Sequence, residues 1–298
     1  MTVEPDDYNE AEMFTAPPKP KKAGRVNPLD RYKVGGVEVR LPTNGRFYKD
    51  FHPNLGGKID VLPMRPHEQI LMKSPDHLYS GSAVESLIAA SVPAITNPKE
   101  VSIPDLDVLF LAVKLAGGDS NLELELTCPN TQCNKTEKHV VSIREALGVA
   151  TNCDEDNSVR LTDELVAFVR PQNLATATKV SIAQYEEAVK FEGLNVESLP
   201  ATELSIMKQE MFTRLTEVAI EAVVDCVLYI QTPDGIVDDP EFIGDFVRSN
   251  KAFYEVLDEK IVELGKCGVF PEGYHATCPH CKHEWDTAVT IDPSSFFG

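Results

Sequence analysis

A repeated pair of cysteine turns constrains this chain more than any other feature of its sequence. Thr-Cys-Pro and a second cysteine occur as TCPNTQC at 127–133 and again as TCPHC at 277–281. Each is followed by polar residues and an alternating apolar stretch ending in isoleucine, NKTEKHVVSI in the first case and KHEWDTAVTI in the second. The two stretches read as a weak internal repeat, a β-hairpin whose turn carries two thiols. Such a knuckle points both sulfurs, and several backbone N–H groups, at one spot. One knuckle supplies two thiolates, whereas a structural zinc ion takes four ligands at the corners of a tetrahedron. Cys128, Cys133, Cys278 and Cys281 complete that set if the fold brings the middle of the chain against its C-terminal part.

The first knuckle is two residues longer than a Cys-x-x-Cys turn, and the 144 residues between the motifs (134–277) far exceed the spacing of a compact zinc ribbon. Three uses of these thiols therefore compete: one shared zinc site, two reduced pairs or a vestigial site, and a redox pair at Cys278 and Cys281. A redox pair belongs beside a βαβ pattern, which is not seen here. The doubled knuckle favours the shared site. His280 and His283 lie close by, but four cysteines already fill the coordination shell. A catalytic zinc keeps three protein ligands and an open water position. His283-Glu284 begins an H-E-x-x-H pattern, yet Thr287 stands where the second histidine belongs, and the H-x-E of zinc deaminases is absent. Neither a P-loop, nor G-x-G-x-x-G, nor G-x-S-x-G occurs, so no enzymatic activity is expected.

Charge narrows the partners. The formal net charge is −19 over 298 residues. Zinc ribbons that hold nucleic acid do so with basic side chains around their knuckles. Here residues 121–144 carry three acidic and three basic side chains, and 272–292 carry four acidic and one basic. That balance removes the phosphate-neutralising term which dominates nucleic-acid binding, so protein partners are expected and nucleic acid is not. Without an apolar run of about 18 residues, no membrane-spanning helix is expected either. The acidic MTVEPDDYNE start carries no apolar secretory region. Cys153, Cys226 and Cys267 stand alone in this reading, and a reducing compartment follows from the odd count of seven.

The expected fold class is α+β, with mixed helices, short antiparallel strands and a split four-cysteine site of zinc-ribbon type joining the middle and the C-terminus. Residues 1–28 form an extended or disordered arm, rich in proline and lysine. Residues 29–150 form an α+β part with the first knuckle. It opens with strand, tight turn and strand across YKVGGVEVRLP, followed by the strand KIDVLPM. Helices follow over 66–73, from Ser82 with a Ser82/Glu85 capping box, and over Leu106, Leu109, Phe110, Val113 and Ala116, stopped by Gly117-Gly118. Strands NLELEL and VVSI flank the knuckle, and a short helix begins near Arg144. Residues 151–270 are mainly helical after a hairpin at 159–170. Leu215, Val218, Ala222, Cys226 and Ile230 share a helical stripe, Asp239 caps a helix begun by Pro240, and a last helix spans about 252–264. Residues 271–298 form the second knuckle hairpin, with AVTI as its closing strand and Phe296-Phe297 at the tail. The two phenylalanines either pad this protein's own core or insert into a neighbouring subunit. The arm is either a solvated tail or a peptide that docks on a neighbouring subunit through Phe14 and its Pro-Lys segment.

Several short pieces, in this order, resemble the baseplate hub and assembly proteins of T4-type contractile-tailed bacteriophages. They are LPTNGRFY at 41–48, the apolar helix ending in Gly-Gly before a strand and TCPNTQC, CPHCKHEW at 278–285, and DPSSFFG at the end. The resemblance spans residues 36–298; the two extra residues of the first knuckle and the long arm depart from it. It implies a non-enzymatic structural or assembly component of the tail baseplate, made in the bacterial cytoplasm, found there or in the virion, and contacting other baseplate and tail proteins. The rival expectation is a zinc-ribbon regulator that acts on the transcription machinery through protein contacts.

Overall fold

The structure, a computed structural model, describes residues 35–49, 57–192, 200–289, 291 and 293–297. The proposed arm at 1–28, the first limb of the opening hairpin and Gly298 lie outside the described residues. Strand β1 (Val37–Arg40) pairs antiparallel with β2 (Lys58–Val61). Helices α1 (Pro66–Leu71), α2 (Pro75–Tyr79) and α3 (Ser82–Ser91) follow. Ser82 does not cap α3 as its capping-box pattern predicts. Gly81, at φ 74°, occupies that position, and the Ser82 hydroxyl bonds His77 instead.

Helix α4 (Ile103–Ala116) is the centre of the larger core. Its residues are apolar almost all round, and Leu109, Phe110, Leu111 and Ala112 are all buried. A helix of that composition must be covered on every side. One polar residue lies buried within it. Asp105 accepts hydrogen bonds from the Thr43 amide (2.9 Å), the Thr43 hydroxyl and the Tyr48 phenol (2.7 Å). It thereby fixes the LPTNGRFY loop to the helix. Burial raises the Asp105 carboxyl to about 6, against the lowering pull of the Thr43 and Tyr48 hydrogen bonds.

After α4 come the hairpin β3 (Asn121–Thr127) and β4 (Thr136–Ser142), and α5 (Ile143–Gly148). The chain then builds a four-stranded antiparallel sheet in the order β5-β6-β7-β8, from Ser158–Arg160, Val166–Val169, Val227–Thr232 and Gly235–Val237. Helices α6 (Leu174–Glu192) and α7 (Ala201–Cys226) stand between β6 and β7, and α8 (Pro240–Ser249) and α9 (Lys251–Gly265) follow β8. Asp239 caps α8 through the Glu241 amide, as its sequence predicts. The helical stripe predicted through Ile230 ends at Cys226. From Val227 the chain is a strand paired with β6, because a β-branched and aromatic run packs better on a sheet.

Two cores result. One gathers residues from 39–174 together with Val269, Ile291, Phe296 and Phe297; the other draws only on residues 159–264. The parts predicted as 29–150 and 271–298 therefore share a single core. Cys153 and Cys267, expected to stand alone, form a disulfide across a separation of 114 residues. Beside it, Thr151 and Gly268 exchange backbone hydrogen bonds of 2.8 and 3.0 Å.

The C-terminal part contains β9 (Tyr274–Thr277), β10 (Glu284–Thr287) and the short helix α10 (Pro293–Phe297). The predicted strand AVTI is not one over its described residues; β10 stops at Thr287, where its partner β9 begins. Phe296 and Phe297 are helical and fold back into the larger core. Phe297 meets Phe110 edge to face at 5.6 Å, and the Lys114 ammonium lies 4.4 Å above the Phe296 ring and donates to the Phe296 carbonyl. Buried in this way, the pair belongs to the protein's own core. Among the described residues no helix is long and apolar enough to cross a membrane.

Candidate metal centre

Each knuckle is built by its own hairpin, and the two are built alike. The amide of the first cysteine closes the turn in both, Cys128 on the Lys135 carbonyl at 3.0 Å and Cys278 on the His283 carbonyl at 2.9 Å. The residue after the second cysteine is left-handed in both, Asn134 at φ 41° and Lys282 at φ 60°. Asn enters that region at modest cost, and lysine does so here because the turn demands it. The two extra residues of the first knuckle are taken up inside its turn, where the Cys133 and Asn134 amides both bond the Asn130 carbonyl. The repeat read from the sequence is thus a repeat of backbone geometry.

The hairpins meet with their turns together. One sulfur from each of Cys128, Cys133, Cys278 and Cys281 lies within 4.8 Å of all the others. Cys128 Sγ and Cys281 Sγ are 3.6 Å apart, and Cys133 Sγ and Cys278 Sγ 3.8 Å. A tetrahedron with metal–sulfur bonds near 2.3 Å has edges of about 3.8 Å. The four cysteines therefore lie close enough to bind a metal ion. Cys128 and Cys278 are buried, Cys133 is half-buried and Cys281 is exposed.

Electrostatics separate the four thiols. The Cys281 and His280 amides donate to the Cys278 sulfur, and chiefly the first of these lowers it to about 6, against its burial. Loss of water pushes Cys128 up to about 12 and raises Cys133. Four sulfurs this close ionise together only when a cation offsets their mutual repulsion. The chemistry of the site suits a soft divalent ion.

A second layer joins the hairpins beyond the sulfurs. His280 in the second knuckle bonds Glu137 on β4. His139 on β4 sits edge-on to Tyr274 and Trp285, each 6.1 Å away, and the His283 ring stacks beside Trp285. His280 and His283 accordingly serve contacts between side chains, outside the cluster. Cys226 is buried at the end of α7, in the smaller core, and takes no part. The pairing of Cys153 with Cys267 is the cysteine chemistry that sequence reasoning missed. Nothing in their flanking residues repeats, so no local signal marks them as partners.

Comparison with protein-family models, with curated proteins and with solved structures finds no match to this chain.

Proposed function

We propose that this protein is a non-enzymatic structural or assembly component of a contractile bacteriophage tail baseplate, scaffolded by zinc held by Cys128, Cys133, Cys278 and Cys281. The observation that carries the scaffolding role is the meeting of two like-built knuckles from distant parts of the chain at tetrahedral spacing. Four thiolates in that arrangement suit zinc, which has no redox chemistry of its own and takes four sulfur ligands in structural sites. With all four positions held by protein, the ion has no open site for substrate, and its work is to close the hairpins on each other. The baseplate role rests on the order of LPTNGRFY, the Gly-Gly-ended helix before TCPNTQC, and CPHCKHEW. The acidic surface supports partners that present basic patches.

Elemental analysis of protein purified without added metal tests the first part. About one zinc per chain, lost with Cys281→Ser, is expected, and a metal-free or iron-loaded protein overturns it. Mass spectrometry of purified tailed particles and of baseplate intermediates tests the second. Detection in either supports the role, whereas absence from both, together with unimpaired tail assembly when the gene is deleted, refutes it.

A further inference from the structure

The cluster that suits a metal is also spaced within reach of disulfide formation. Its sulfur contacts at 3.6 Å (Cys128 to Cys281) and 3.8 Å (Cys133 to Cys278) both run from one knuckle to the other. Disulfide formation closes a sulfur pair to about 2 Å, so each of these pairs needs to move by less than about 2 Å. Cys281 is exposed, and it is the sulfur an oxidant in solution reaches first. The other potential thiol partners are out of play. Cys153 and Cys267 are already joined, and Cys226 is buried in the smaller core.

We propose that the cluster is an oxidation site which exchanges its metal for two disulfides, Cys128–Cys281 and Cys133–Cys278, with hydrogen peroxide as the class of oxidant. The Cys281 thiolate attacks one peroxide oxygen, giving a sulfenic acid and hydroxide. The Cys128 thiolate then attacks the Cys281 sulfur, forming the S–S bond and expelling a second hydroxide. Cys133 and Cys278 repeat the sequence with another peroxide. Four thiolates lose four electrons, two peroxides accept them, and the metal departs as the divalent cation because no thiolate remains to hold it. Both new bonds join the first knuckle to the second. The hairpins stay fastened in either state, by metal when reduced and by sulfur when oxidised.

This inference rests on the metal reading only for the release of the ion, so the experiment has two arms. Zinc-loaded protein is titrated with hydrogen peroxide while a metallochromic dye reports free zinc and peptide mapping without reduction reports linkages. Zinc release that saturates near two peroxides per chain, with the two cross-knuckle linkages, is expected. Metal-free protein treated in the same way yields the same linkages whether or not zinc is the native ion. Linkages within a knuckle, sulfinic acid at Cys281 with no linkage, or zinc retained at excess peroxide each overturn the proposal. Cys281→Ser leaves only the Cys133–Cys278 bond; a Cys128–Cys133 bond in that variant overturns the assigned pairing.

Discussion

The imidazole of His280, in the turn of the second knuckle, bonds the carboxylate of Glu137 on β4, 143 positions earlier in the chain. The bond keeps the Glu137 carboxyl below its ordinary value, with His280 the main cause. It also shows that the hairpins touch through more than their sulfurs.

Trp285 reports on that contact, because it is the only tryptophan and it lies on β10 between the His139 and His283 rings. Removing the metal with a strong chelator is expected to change Trp285 emission without unfolding the larger core. Cys281→Ser is expected to do the same and to lower stability by several kcal/mol, on the order found for lost structural metals. His280→Ala is expected to cost little stability, because solvent screens the exposed pair it removes. Fluorescence and denaturant titrations check all three; an emission spectrum unmoved by chelator counts against a metal-closed interface.

The Cys153–Cys267 disulfide closes a loop of 114 residues. Chain entropy alone assigns about 4–5 kcal/mol to a loop of that size. A phosphine reductant is expected to lower the melting temperature of the native protein and to leave Cys153→Ala/Cys267→Ala unaffected. Equal responses of the two proteins show that the bond is not formed in solution.

Asp105 gives stability a pH dependence of defined sign. Its folded carboxyl titrates at about 6, above the unfolded value near 4, so the folded state binds the proton more tightly. The contribution of this group is complete below about pH 4 and is lost as the pH rises through about 6, a difference on the order of 2–3 kcal/mol. Asp105→Asn cannot titrate there. Between about pH 4 and 7 the native protein is expected to lose stability relative to this variant, by chemical denaturation at each pH. Parallel curves mean that Asp105 is not buried as described.

Phe297 is buried against Phe110. Phe297→Ala is expected to cost about 3–5 kcal/mol, the range for a large aromatic removed from a core. A variant that melts like the native protein places the side chain outside the core.

Features set by neighbours in sequence were the readable ones. The apolar run of α4 and its Gly-Gly stop, the Asp239-Pro240 helix start and the two knuckles are written in local spacing. The cluster was legible because an incomplete ligand set in each knuckle requires a second one. What escaped depends on partners that spacing does not name. Val227–Thr232 continues a helical stripe by count, yet pairs with β6. AVTI alternates like a strand, but β9 has no residues left to pair with it. Cys153 and Cys267 meet only because the whole smaller core is built between them.

That last arrangement has a bearing on how such a chain tolerates change. The Cα atoms of Cys153 and Cys267 are 5.0 Å apart, a gap that a linker of about two or three residues crosses. The sheet, α6 to α9 and the smaller core thus leave and return through one doorway, and the larger core runs past it on both sides. Growth, shortening or exchange of the part of that excursion after α6, whose first residue Leu174 packs into the larger core, leaves the distance between the two knuckles untouched. The chain can vary the surface it presents through the excursion while the cysteine-closed frame keeps its dimensions.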